Sequence, residues 1–314
     1  MDDNGISGTI PTEIGNLNSI RDVRFGKNKL AGSIPMQIGA LSLLQSLGLE
    51  ENSLTGPIPS LSNLTELLVL KLNDNYLTGT IYSTMSTHKD LHILHLGGNY
   101  LTGSIPDTIS NMTYLESFHV HDNVLTGSIP DVWASIPRLQ EIQTQSNYLI
   151  GTLPSSIHNL RLLQVLLVND NRLDGTLPFQ FGNLSYLQRF VAYDNSFEGS
   201  IPTEYGQMKE LNELRLSNNK LTGVIPSELG NLIHLEQLDL QNNTFKGLIP
   251  SKLGQLDFLE NCSLNGNMLT GTVPEELCAL KKANLTYIST DCNKKEGGIV
   301  CSCCDECFPV KPEQ

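Results

Sequence analysis

The chain has 314 residues, with 20 Lys+Arg against 33 Asp+Glu, a formal charge of −13. A mean field of that sign repels polyanions and excludes nucleic acid as a general partner. Leu (51), Asn (28) and Gly (26) together fill 105 positions, an excess that a repeat explains better than an ordinary globule does. No apolar run approaches the ~18 residues of a bilayer span, so no membrane span is expected.

In chain order, the first residues are Met1, Asp2, Asp3, Asn4 and Gly5. They carry no basic start, apolar stretch or small-residue cleavage site, so no signal peptide is visible. The chain opens inside a repeat, and a truncated or mature N-terminus is expected.

The repeat is set by one asparagine per unit: Asn4, Asn28, Asn52, Asn75, Asn99, Asn123, Asn147, Asn171, Asn195, Asn219, Asn243 and Asn267. Ten of the eleven spacings are 24, and the exception, Asn52 to Asn75, is 23. Four residues after each Asn stands Gly in all twelve units, and seven after it stands Pro in eleven, Tyr82 being the departure. A period of about 20–29 residues around a Leu-x-x-Leu-x-Leu-x-x-Asn core is a leucine-rich repeat signature.

Each slot has a physical task. Leu235, Leu238 and Leu240 carry the alternation of a short strand, apolar members inward and polar members outward. The Asn that follows turns inward, where its amide must find partners. Stacked coils then predict an asparagine ladder. The Gly allows positive φ and a tight turn. The Pro fixes φ and ends pairing. The segment after it suits a short helical or 3₁₀ turn. Seven apolar slots recur per unit, as in Leu221, Ile225, Leu229, Leu232, Leu235, Leu238 and Leu240. One coil cannot bury them alone, so neighbours must stack. The fold predicted is an α/β repeat, a leucine-rich repeat solenoid of about twelve units. A solenoid over 1–280 and a Cys-rich cap over 281–314 are expected.

The run Asn-x-Leu-Thr-Gly-Ser-Ile-Pro, at Asn99 to Pro106 and at Asn123 to Pro130, resembles plant-type extracellular leucine-rich repeat proteins. These include receptor-kinase ectodomains and secreted inhibitors of pectin-degrading polygalacturonases. The resemblance covers about residues 4–280. It implies a right-handed solenoid, a concave parallel sheet that binds ligands, and an extracellular or cell-surface location. The paired-Cys N-terminal cap of that family is missing. No kinase or membrane segment follows, which leaves a secreted protein and a receptor fragment both open. The tail from Cys301 to Cys307 looks more like those of diatom leucine-rich repeat proteins.

All seven cysteines lie after residue 260. Cys262 fills a Leu slot and reads as a buried thiol. Cys278, Cys292, Cys301, Cys303, Cys304 and Cys307 read as a disulfide-stapled cap, with 15 pairings open. A zinc site is the rival, disfavoured because two clear Cys-x-x-Cys pairs are lacking. Glycan acceptors are Asn63, Asn111, Asn183, Asn242 and Asn284. Asn63, Asn111 and Asn183 share one slot on the outer side. Asn261 also opens a triplet but projects from the sheet and is not assigned.

Candidate binding residues come from outward strand positions. Strands four and five bring together His95, His119 and His121, with His92, Glu116 and Asp122 nearby. Three readings stand: a solvated polar patch, a charge switch near pH 6, and a transition-metal site. No metal or cofactor is assigned. Strands seven and eight are expected to expose Val165, Leu167, Val191 and Tyr193, bordered by Arg189 and Arg215, a composition suited to partner contact. Val69 and Ile93 form a smaller candidate patch. No Gly-x-Ser-x-Gly elbow, phosphate loop or His-Glu-x-x-His occurs, so no enzyme is expected. The reading is a protein- or peptide-binding module of undetermined oligomeric state. The alternative is a structural or adhesive surface protein, including ice contact, suggested by Thr55, Thr78, Thr102, Thr126, Thr222 and Thr270 before the repeat Gly.

Overall fold

A computed structural model describes residues 2–292 and 299–309. The chain forms two compact units, Met1–Ile150 and Gly151–Gln314.

In the first unit, parallel strands stack one per coil: Asp22–Arg24, Ser46–Gly48, Val69–Lys71, Ile93–His95, Ser117–His119 and Glu141–Gln143. Register is regular, with Leu47 opposite Leu70, Leu94 opposite Phe118 and Phe118 opposite Ile142. These central residues are fully buried and their neighbours face outward, as the strand period of two requires. A second sheet pairs Ser7–Thr9, Lys29–Ser33, Ser53–Pro57 and Tyr76–Thr78 in parallel. 3₁₀ turns such as Met36–Ala40 and Asp107–Asn111 follow, each entered from the repeat proline, Pro35 or Pro106, in extended conformation.

The asparagine ladder is present. Asn99 Oδ1 accepts from Leu77 N at 2.9 Å, while its Nδ2 donates to the carbonyls of Leu72, Leu96 and Gly97. Asn123 repeats the pattern one coil on. Both buried amides are thereby answered by backbone, which removes the penalty of burying them.

The second unit carries strands Val165–Leu167, Arg189–Val191, Glu213–Arg215, Gln237–Asp239, Asn261–Ser263, Tyr287–Asp291 and Glu306–Phe308. Phe181, Phe190 and Tyr205 pack edge to face inside it. The last two strands belong to the Cys-rich segment. Tyr287–Asp291 pairs with Asn261–Ser263, and Glu306–Phe308 pairs in turn with it. Disulfides join Cys278 to Cys303, Cys292 to Cys307 and Cys301 to Cys304. Cys262 is a buried free thiol, and burial pushes its pKa up to about 12.

Candidate functional site

Two side-chain clusters stand on the outer faces of the main strands, one in each unit. In the first unit, register places His95 opposite His119. Their rings stack at 4.0 Å between centroids, inclined by 6°. The Oγ of Ser117 lies 2.8 Å from His95 Nε2 and 2.9 Å from His119 Nε2. His119 Nε2 donates to Glu141 Oε2 at 2.7 Å. His121, whose ring is 6.1 Å from that of His119, pairs through Nδ1 with Asp122 Oδ2 at 2.9 Å. Sequence reading found the histidines and Asp122 but missed Ser117 and Glu141. The missing signal was register: Glu141 stands opposite Ser117, in the same row of coils.

The surroundings alter the chemistry expected here. Burial pushes His95 down to about 3, helped by His119, Lys71 and His121. Burial also lowers His119, against an opposing pull from Glu141. The expected charge switch near pH 6 is therefore corrected for His95, which is neutral there because desolvation disfavours imidazolium. Among the described residues, no group of three or more His, Cys, Asp and Glu is placed to hold a metal ion.

In the second unit, Leu167, Val191 and Arg215 lie in one row of the sheet. The expected exposure of Leu167 and Val191 is corrected: they retain 8% and 4% of their surface. Rows about 4.8 Å apart let larger neighbours shade short aliphatic side chains. Val165 is half-buried, and Tyr193 and the two arginines supply the accessible surface. The Arg215 guanidinium lies 4.6 Å from the centre of the Tyr193 ring. Arg189 Nε donates to Glu213 Oε2 at 2.6 Å, while Arg215 stands 3.7 Å from Glu213 Oε1 and 3.8 Å from Asp239 Oδ2. Ser217 Oγ donates to the same Asp239 oxygen. Burial, assisted by Asp170, raises the Tyr193 phenol, so its hydroxyl keeps its proton near neutrality. The arrangement is an ion ladder that holds an aromatic ring and a guanidinium at fixed places, the composition of binding hot spots. Glu213 was not singled out from sequence.

Asn63, Asn111, Asn183 and Asn284 are exposed, and Asn111 and Asn183 close their 3₁₀ turns. Asn284 donates to Asp257 O and Asn242 to Asn218 Oδ1, both at 2.8 Å. No helix among the described residues is long and apolar enough to cross a membrane.

Residues 90–112, 162–184, 210–232 and 234–256 match the family model described as Leucine Rich Repeat. These are leucine-rich repeats. No curated protein matches the sequence. Among solved structures, the chain is similar to a TDR receptor, at 32% identity over 95% of this chain and 50% of that one, with a TM-score of 0.87. It is similar to the leucine-rich repeat ectodomain of the Arabidopsis thaliana receptor kinase GASSHO1/SCHENGEN3, solved in complex with CASPARIAN STRIP INTEGRITY FACTOR 2. That match has 30% identity, covers 98% of this chain and 45% of that one, and has a TM-score of 0.76. A plant ice-binding protein matches at 26% identity over 80% of each chain, with a TM-score of 0.63. The chain spans about half the length of the two receptors.

Proposed function

We propose that this chain is a non-catalytic recognition module that binds a peptide or protein on the outer face of its main strands, outside the cell. The observation that carries the reading is the Tyr193–Arg215 pair, with both side chains held by neighbours yet open to a partner. Similarity to a receptor ectodomain solved with its ligand supports it, and three disulfides suit an oxidising compartment. His95, His119 and His121 form a second, hydrogen-bonding contact area. Glycans at Asn63, Asn111 and Asn183 would leave the outer strand faces free. The test is selection of peptides from a displayed library on the immobilised chain. Affinity of the selected peptides for Tyr193→Asp and Arg215→Ala should fall by at least about tenfold, the loss of one buried anchor. Peptides that bind both variants as tightly as the parent remove this surface from the site.

A second reading is contact with ice. Thr55, Thr78, Thr102 and Thr126 are all exposed at one repeat slot, and the plant ice-binding protein shares the architecture. Its test is ice recrystallisation in the presence of the chain and of Thr78→Lys. Inhibition by the parent, lost in the variant, supports it; no inhibition by the parent rejects it.

A further inference from the structure

The first unit holds a cavity that neither cluster uses. It measures about 320 Å³, and its walls include Arg24, Gly48, Glu50, Val69, Lys71 and Ile93. Its origin is a missing side chain. In the outward row running through Arg24, Gly48 and Lys71, the middle position is bare, so a notch opens between two cations. The carboxyl of Glu50 lies over this bare backbone. Its Oε2 would stand 3.0 Å from a Cβ built at Gly48, and its carboxyl carbon 2.8 Å from one built at Gly26. Both glycines are therefore needed for Glu50 to lie where it does.

Two charged groups in the notch are unanswered. Glu50 Oε2 is closed to solvent and meets no hydrogen-bond donor, a costly state for a carboxylate oxygen. Lys71 forms no ion pair among the described residues, whereas Arg24 is answered by Asp22 at 3.0 Å. Asp2 also lines the cavity, and the five charges Asp2, Asp22, Glu50, Arg24 and Lys71 leave a net balance of one negative. Val69 and Ile93, opposite one another in register and half-buried, supply an apolar wall. A fitting occupant brings a cation with several N–H donors, an acceptor beside it, and an aliphatic group.

We propose that this notch binds the free amino terminus of a peptide whose first residue is aliphatic. The Glu50 carboxyl turns away from Gly26 so that Oε2 opens to the notch and accepts from the α-ammonium, the first carbonyl accepts from Lys71, and the first side chain lies against Val69 and Ile93. The proposal rests on the reading of the outer strand face as a peptide-binding surface, and it fixes the direction and first residue of the peptide there. Capture of a peptide's free terminus is a general recognition mode, and a charge-assisted hydrogen bond gives it selectivity over a capped terminus.

The test uses the full chain and two synthetic probes, Leu-Gly-Gly-Ser with a free amine and its N-acetylated form. Binding is read from the methyl NMR signals of Val69 and Ile93. The free peptide should shift both signals saturably. Acetylation should raise its dissociation constant by at least about tenfold, as should Glu50→Gln, in line with the loss of one charged hydrogen bond. Lys71→Met should weaken both probes alike. Equal binding of the two probes overturns the proposal while leaving peptide recognition on this face intact. Absence of any shift, with library peptides still captured through Tyr193, also overturns it and spares the broader reading.

Discussion

At the residue scale, the repeat asparagine does most to specify the coil. Asn123 Oδ1 accepts from Leu101 N at 2.8 Å, and its Nδ2 donates to the carbonyls of Leu96, Val120 and His121. Asn123→Ala strands a buried N–H and frees several carbonyls, so urea unfolding should show a loss of about 3 kcal/mol. Asn63→Ala, at an exposed position, should stay within about 0.5 kcal/mol. An equal effect of the two would deny the ladder its structural part. The histidines make a second prediction at this scale. His95 is held at about 3 when folded, against an ordinary value near 6.5 when unfolded. As pH falls below about 6.5 the unfolded chain takes up the proton first, so stability falls progressively toward pH 3. His119 acts in the same direction. The urea midpoint should therefore drop between pH 7 and pH 4.5, and His95→Gln should flatten that drop. The ladder was legible because the same residue recurs at a fixed period. Ser117 and Glu141 were not, because their partnership depends on which strands are neighbours.

At the element scale, the main strands were legible from their alternation, and the 3₁₀ turns from the proline that opens them. The second sheet was not expected: the Gly and Pro slots were read as a turn. Yet Leu101 and Ile105 point inward while Thr102 and Ser104 face solvent, which is a strand alternation across the glycine. The extended backbone there pairs with the preceding coil, as Tyr100 N donates to Leu77 O and Thr102 N to Gly79 O. Turn packing gives a prediction. Gly182, in the turn Phe179–Asn183, sits so close to the next turn that a Cβ would lie 2.5 Å from Glu204 O and 2.8 Å from Glu204 Cβ. Backbone cannot yield as a flexible side chain does, so Gly182→Ala should cost about 1–3 kcal/mol. Calorimetry showing an unchanged or raised Tm for that variant would mean the turns stack less closely than this.

At the scale of the whole molecule, composition already excluded a polyanion binder and pointed to a repeat, and the cysteine positions marked one end for stapling. Which cysteines pair was not legible, because six thiols within 30 residues satisfy spacing in many ways. Pairing became defined once Tyr287–Asp291 and Glu306–Phe308 joined the sheet, bringing Cys307 opposite Thr290 and beside Cys292. The Cys278–Cys303 and Cys292–Cys307 links close loops with sequence separations of 25 and 15, each restricting the unfolded chain by about 3 kcal/mol in the loop-entropy account. Reduction should therefore loosen the end of the second unit first. Amide exchange in 287–291 should accelerate, while exchange in 189–191 changes little. Alkylation followed by mass spectrometry provides the internal control. Six thiols should label after reduction, whereas Cys262, buried with its pKa near 12, should label only once the chain unfolds. Unchanged exchange in 287–291 after complete reduction would show that strand pairing alone closes this end and that the disulfides add nothing to it.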